Sequence, residues 1–308
     1  MAAPVQFEPV PPNRFSEAAR MVAGPRADPE APGRSHMLLR LLGERAPADF
    51  QFWWARRDKK PLAAALMLAS PGKAGMIFYS SPLDCDADIL VQLVRTVAQT
   101  SIGTGIRFVQ ALVDPAASAD LRVLVQAGYQ LLADLIYMRR ELDAQSLVHT
   151  PSEDLYTWRT YGDFDEGELA TVIAATYEQS LDCPGLAGVR RMEDIIATHK
   201  SCGLFSPDNW WVLEQGGRPA ACILVNEYPV TMAVDVVYLG VTVPFRGRGI
   251  SRLMLHRAGR LAMERAYSTM TLAVDSRNPY ALRVYEAEQF METGRRLAYA
   301  MLAGKLTP

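Results

Sequence analysis

Cysteine is scarce in this chain, and nothing about its placement points to a structural role. The 4 cysteines among 308 residues (Cys85, Cys183, Cys202 and Cys222) include no C-x-x-C pair. That pattern supports neither a zinc site nor a disulfide framework. The 4 histidines (His36, His149, His199 and His256) are equally scattered, and none stands beside a Cys or Ser in a nucleophile motif. Charge of one sign is also missing. The 32 Lys and Arg against 34 Asp and Glu leave a net charge of −2. This is not the basic excess that nucleic acid or an anionic membrane would demand. No apolar run approaches the length of about 20 residues needed to cross a bilayer. Residues 1–9 lack the basic and apolar regions of a secretory signal. The expectation is a cytoplasmic protein with no metal, no nucleic-acid partner and no membrane partner.

What is present suits a globular chain of two domains. Apolar residues make up 49% and charged residues 21% of the sequence, and this length can bury substantial cores. The order of elements repeats. In the first half, helices are expected over 15–23 and 36–42, with a Pro- and Gly-rich loop over 24–33 between them. Strands follow over 51–56, 62–70 and 75–80, then a helix over 88–99, a strand over 106–113, a helix over 119–126 and a strand over 131–139. The second half runs through helices near 166–179 and 195–199 and strands over 210–215, 220–227 and 234–242. A helix to about residue 265 follows, then a strand over 269–274, a helix over 279–286 and a closing strand over 296–303. Gly216-Gly217 is the expected turn between the first two of those strands. Corresponding points lie roughly 160 residues apart, which implies an internal duplication. The join is expected in the polar stretch 143–153, dividing the chain into domains 1–145 and 146–308. The Trp pairs Trp53-Trp54 and Trp210-Trp211 sit in expected strands and are read as core, with alternation sending one ring of each pair inward and one outward.

One segment carries the most chemistry. Val241-Thr242-Val243-Pro244-Phe245-Arg246-Gly247-Arg248-Gly249-Ile250-Ser251 is an apolar strand entering a basic, glycine-rich turn that opens onto a helix. A helix start offers unpaired N–H groups and the positive end of its dipole, and glycines let a ligand approach closely. The pattern is built for phosphate. It is not a Walker A loop, which needs Gly-Lys-Ser/Thr. The dinucleotide fingerprint also fails, because Arg252 stands where its third glycine belongs. The duplication is asymmetric at this point. The first half carries Asp84, Asp86 and Asp88 where the second carries arginines and glycines, so only the second half is expected to take an anion.

Arg246, Gly249 and Ser251 read as Arg/Gln-x-x-Gly-x-Gly/Ala, and Asn278-x-x-Ala281-x-x-x-Tyr285 follows the strand 270–274. In these two linked motifs the chain resembles the GNAT superfamily of N-acetyltransferases, with Ser251 and Gln289 standing where that family usually has Gly or Ala and Gly. The resemblance implies a mixed α/β (α+β) fold of two tandem domains, each a mostly antiparallel sheet flanked by helices. It implies a degenerate domain over 1–145 and an acetyl-coenzyme A-binding catalytic domain over 146–308. It further implies that Arg246, Gly247, Arg248, Gly249, Ile250 and Ser251 hold the pyrophosphate of acetyl-CoA. The backbone of Leu239, Val241 and Val243 would hold the pantetheine arm, and Asn278 would contact the same arm. Tyr285 would be the general acid for the departing thiolate.

Asp235 lies eleven residues before Arg246 on the same strand and is the best candidate for a base, ahead of Glu227 and Tyr238. The expected activity is direct acetyl transfer to a primary amine of a small molecule or peptide. The other reading is a non-enzymatic acyl-CoA sensor, which would need neither Tyr285 nor Asp235. Acceptor choice is assigned to 177–194, where Asp182, Glu193 and Asp194 could attract a cationic amine. Two like domains form an internal pseudo-dimer, so a monomer is expected.

Overall fold

Apolar residues at helical spacing and alternating strands assemble here into two units with the same plan. The computed structural model describes residues 3–143, 147, 154–186 and 188–304. Most of the expected join over 143–153, and His149 within it, lies outside the described residues.

The first unit comprises Met1–Leu132 together with Leu297–Pro308. Its elements are β1 (Gln6–Pro9), α1 (Phe15–Val22), α2 (Ala31–Gly43), β2 (Phe50–Arg57), β3 (Lys60–Ser70), β4 (Ala74–Tyr79), α3 (Ala87–Gly103), β5 (Phe108–Val113) and α4 (Ser118–Ala127). The strand β6 (Gln130–Glu141) then leads into the second unit, Ala133–Arg296. That unit adds β7 (Thr157–Thr160), α5 (Glu166–Tyr177), α6 (Met192–Lys200), β8 (Trp210–Gln215), β9 (Arg218–Tyr228), β10 (Ala233–Val241), α7 (Ile250–Glu264), β11 (Thr269–Asp275) and α8 (Pro279–Ala287). The last strand, β12 (Met291–Leu302), returns the chain to the first unit.

In the first unit the strands run β1-β2-β3-β4-β5-β12, and in the second β6-β11-β10-β9-β8-β7. Pairing is antiparallel except at β4–β5 and β10–β11, which are parallel. Each sheet is therefore mixed and mostly antiparallel, as the tandem reading implied.

The compact units do not follow a cut at residue 145. Leu297–Leu302 of β12 pairs antiparallel with Val113–Phe108 of β5, while Leu135–Glu141 of β6 pairs with Asp275–Thr269 of β11. Each half of the sequence lends its closing strand to the other half's sheet. The burial of side chains agrees. Met301 joins the first unit's core, and Ile136 and Met138 join the second's. Periodicity marks these segments as strands but carries no information about which edge they complete.

Helices cover both faces of each sheet, so the tryptophans are core residues as expected, the outward ring of each pair included. Trp53 and Trp54 do point to opposite faces, as do Trp210 and Trp211, but all four rings are buried. Neither ring of a pair reaches solvent because neither face is bare. Two smaller differences have local causes. α2 begins at Ala31, inside the stretch read as a loop, because Pro32 falls in its first turn, where a missing N–H is harmless. β1 had not been expected: it is four residues long, lies next to Pro, and shows no alternation of burial.

The two units differ where a helix follows the parallel-paired strand. In the first unit Asp86 is the N-cap of α3, and its carboxylate accepts from the amides of Asp88 (3.0 Å) and Ile89 (3.1 Å). Asp84 accepts from the Arg26 amide at 2.7 Å. The amides an anion would use are thus already satisfied by the chain's own carboxylate.

Candidate active site

Parallel pairing between β10 and β11 is short, and the site grows from that fact. Ala233–Val236 lie against Thr269–Leu272, and pairing then stops. A bulge between Val236 and Tyr238 re-phases β10, which continues along β9 as far as Val241 opposite Ala221. Meanwhile the end of β11 continues along β6 to Asp275. Past Val236 the two strands part, leaving facing backbone edges without a ladder between them. The bulge also sorts side chains. Val234, Val236, Leu239 and Val241 pack with the core beneath α7, whereas Val237 and Tyr238 pack with the core under α5 and α6. Asp235, between Val234 and Val236, points to the same side as Tyr238.

β10 approaches α5 closely because residue 240 is glycine. A Cβ there would meet Thr176 Oγ1 at 2.5 Å and its Cβ at 2.7 Å. Thr176 instead meets the Tyr238 hydroxyl at 2.6 Å. The strand ends at Val241, so Val243 belongs to a 3-10 turn, Val243–Phe245, and not to the strand as expected. Pro244 starts that turn, Phe245 is buried beneath it, and Thr242 anchors it by donating to the carbonyls of Pro219 and Ala220.

The glycine loop follows. Gly247 and Gly249 hold φ of 74° and 75°, the left-handed region that other residues reach only with strain. Gly249 is the N-cap of α7, with no side-chain cap and no acidic residue in the first turn. The first loop-to-helix bonds run from the amides of Arg252 and Leu253 to the Gly249 carbonyl. Among the described residues, the amides of 247–251 find no acceptor. A Cβ on either glycine would meet nothing within 4 Å, so no neighbouring group crowds the loop at these two positions. Open amides at a helix start fit a diphosphate. The contrast with α3, plugged by Asp86, is complete.

The arginines of this loop are less free than the sequence implied. Arg246 turns its guanidinium onto backbone carbonyls: Val241 (3.0 Å), Thr176 (3.1 Å), Glu178 (2.6 Å) and Gln179 (3.3 Å). Arg248 stacks over the Phe245 ring at 5.1 Å. Arg252, in the first turn of α7, pairs with Glu288 at 2.7 Å. Any anion held here is held first by backbone amides and the dipole.

α8 carries the second motif. Pro279 occupies its first turn, and Asn278 caps it by accepting from the Ala281 amide at 3.2 Å. Tyr285 is 8% exposed and meets Phe290 edge-on at 5.7 Å. Burial raises its hydroxyl well above the ordinary 10, and the charge on Asp182 adds to the effect. Asp182 sits on the segment after α5. Its side chain is exposed, yet the protein packed around the carboxylate raises its pKa, and the Asp275 backbone offsets part of that by hydrogen bonding. Asp275 itself is fully buried and gripped by Arg277 at 3.0 and 2.7 Å. Beside them, burial pushes the Cys183 thiol up to about 12.

Asp235 accepts from Thr271 Oγ1 at 2.6 Å, and burial raises its carboxyl above the ordinary 3.8. Glu227, the weaker candidate, is committed elsewhere. Asn209 and Tyr267 donate to it at 2.8 Å each, Arg265 pairs with it, and these partners hold its carboxyl below the usual range despite burial. Tyr238 spends its hydroxyl on Thr176. His199 lies 5.7 Å from the Tyr238 ring and is kept neutral near pH 7, lowered to about 4 by burial and then by Arg190. Sequence reasoning gave no site role to His199, Gly240 or Glu288, and named Tyr177 only as the start of the acceptor segment. None stands in a motif; they meet only through packing. Glu193 is exposed, and the Asp194 side chain pairs with Arg191 at 3.5 Å.

Glu288 ties the two motif helices together. It is 5% exposed in its side chain and meets Arg140 on β6 (3.0 Å), His256 Nε2 on α7 (2.7 Å) and Arg252 (2.7 Å). Among the described residues no three of His, Cys, Asp and Glu gather in a way that could hold a metal. No described helix is long and apolar enough to cross a membrane.

Residues 173–289 match the profile described as the Acetyltransferase (GNAT) family. This segment is a GNAT-family domain. It contains β10, the glycine loop, α7, β11 and α8. The chain is also 24% identical over 191 residues to the mycothiol acetyltransferase of Jonesia denitrificans, an alignment spanning 60% of each protein. Among solved structures it resembles a GCN5-related N-acetyltransferase from Sphaerobacter thermophilus (TM-score 0.63, 18% identity, 98% of this chain and 97% of that one). It also resembles a tandem GNAT protein from the clavulanic acid biosynthesis pathway (TM-score 0.55, 15% identity, 99% and 100%). These likenesses show the tandem GNAT fold across the whole chain.

Replacing Glu288 by Ala would remove the buried carboxylate that Arg140, His256 and Arg252 share. The expected loss is about 3–5 kcal/mol of stability, checked by urea unfolding of the two proteins.

Proposed function

We propose that the second unit transfers an acetyl group from acetyl-CoA to a primary amine. The observation that carries this reading is the run of open amides at 247–251, at the start of α7 and at the end of a strand that has parted from its parallel neighbour. The amides would receive the diphosphate, with the backbone of Gly247, Arg248, Gly249, Ile250 and Ser251 forming the cradle, while the Arg246 amide is spent on the Val243 carbonyl at 3.3 Å. The free edge of β10 at Leu239 and Val241 would receive the amide-bearing arm as an added strand does. Asn278, committed to its cap, contributes by fixing where α8 begins. When bound, the thioester supplies an activated acetyl group.

The chain's own groups supply proton transfer. Tyr285, held protonated by burial, would donate to the departing thiolate. Asp235, raised by burial yet still a carboxylate near neutral pH in this reading, would take a proton from the incoming ammonium. The two differ in environment and so in role, as paired catalytic groups do. Likeness to a protein named mycothiol acetyltransferase favours a small-molecule amine over a protein side chain. A sensor would need the cradle but not the two titrating groups.

Tyr285→Phe is expected to lower turnover at least about tenfold while coenzyme A still binds, read by thiol release across a panel of primary amines. An unchanged rate would remove Tyr285 from the chemistry. Gly249→Glu places a carboxylate and a strained φ at the cradle, and calorimetry should detect no coenzyme A binding; unaltered affinity would displace the site.

The base must be deprotonated to act, so the rate should fall as pH drops through the raised carboxyl pKa of Asp235. Asp235→Asn should lower the rate by roughly 10²–10⁴-fold and abolish that acid limb. A pH profile retaining the limb in the variant would assign it to another group.

A further inference from the structure

We infer that Arg246 is a positioning residue: its guanidinium holds the segment following α5 against the glycine loop, so that the acceptor side of the cleft is fixed by the same loop that receives the diphosphate. The inference deepens the acetyltransferase reading and rests on it for the meaning of "acceptor side". The geometry of the clamp stands without it.

The three nitrogens of this side chain make four hydrogen bonds to four carbonyls within one unit, at 2.6 to 3.3 Å. A guanidinium has five donors in all, so its capacity is nearly spent. Three of the four acceptors, on Thr176, Glu178 and Gln179, belong to the end of α5 and the residues just beyond it. α5 ends without a left-handed glycine cap: its C-cap is Glu178, with ψ of 123°, and Gln179 follows with φ of 53°. The last carbonyls of a helix lack amide partners and carry the negative end of its dipole. A cation with a planar fork satisfies both needs. If Arg246 swung out to a phosphate, these carbonyls would lose their donor.

The held segment then continues into Asp182 and Cys183. Asp182 is felt electrostatically at Tyr285 and is hydrogen-bonded to the Asp275 backbone, and Cys183 shares the same surroundings. Tyr177, the last residue of α5, stacks edge-on against Tyr238 at 5.7 Å. Arg246 therefore connects the cradle on one side to the groups around the proposed acid on the other. The fourth bond, to Val241, pins the side chain to the end of β10.

The test uses two variants of the full chain, Arg246→Gln and Arg246→Lys. Lysine keeps the charge a phosphate would want but cannot form the four-carbonyl fork. In ligand-free protein, hydrogen exchange over residues 178–186 and alkylation of Cys183 by iodoacetamide, resolved by peptide mass, should each rise at least about tenfold in both variants. Calorimetry with coenzyme A as the probe should show its Kd changing by less than about threefold. A phosphate ligand would behave otherwise: Arg246→Gln would weaken coenzyme A at least about tenfold, Arg246→Lys would restore it, and the segment would exchange as in the parent. Unchanged exchange and alkylation in both variants overturns the inference, whatever coenzyme A does. Failure of the parent protein to bind coenzyme A would instead overturn the acetyltransferase reading, and the exchange data would still decide the clamp.

Discussion

The parting of β10 from β11 after Val236 is the constraint on which everything else in the second unit depends. A parallel pair that continued to the strand ends would satisfy its own backbone groups and offer a ligand nothing. The bulge at Val237 ends the pairing after four residues and turns Leu239 and Val241 back toward the α7 core. It exposes a strand edge, and it directs β10 into the 3-10 turn that delivers the glycine loop. The close packing of Gly240 on Thr176 holds the parted strand against α5.

Around that gap the molecule divides its charges by burial. Asp275 and Glu288 are deeply buried and matched with arginines, which marks them as parts of the frame. Glu227 is paired in the same way. Asp235 and Asp182 have no cation at hydrogen-bonding distance among the described residues, and burial raises both. Carboxylates kept without a cation in such surroundings are costly, which sets these two apart from the paired frame. The first unit illustrates the opposite choice. Its α3 amides at Asp88 and Ile89 are satisfied by Asp86, so the duplicated plan survives there with its helix start capped by the chain's own carboxylate.

Much of the site was legible in the sequence because its pieces are local. Strand, glycine turn and helix start occupy consecutive residues, and Pro279 and Asn278 announce their helix by position alone. The roles of individual side chains were less legible. Arg246 and Arg248 read as ligands, since a basic side chain in a phosphate-binding motif invites that reading. Their carbonyl and aromatic partners at Thr176, Glu178, Gln179 and Phe245 come from elements whose approach the motif does not encode. Glu288 was invisible for the same reason: its partners lie on β6 and α7, far away in the chain.

By itself the sequence determined that there are two similar halves, that only the second has a glycine-rich helix start free of a capping carboxylate, and which residues form that start. Those properties follow from local backbone preference and from the presence or absence of a capping carboxylate. The tertiary structure alone decided that β6 and β12 complete each other's sheets, that all four paired tryptophans are enclosed, and that Arg246 faces a helix end. Each of these depends on which surfaces meet. Periodicity states that a strand has a buried side; it does not state what buries it.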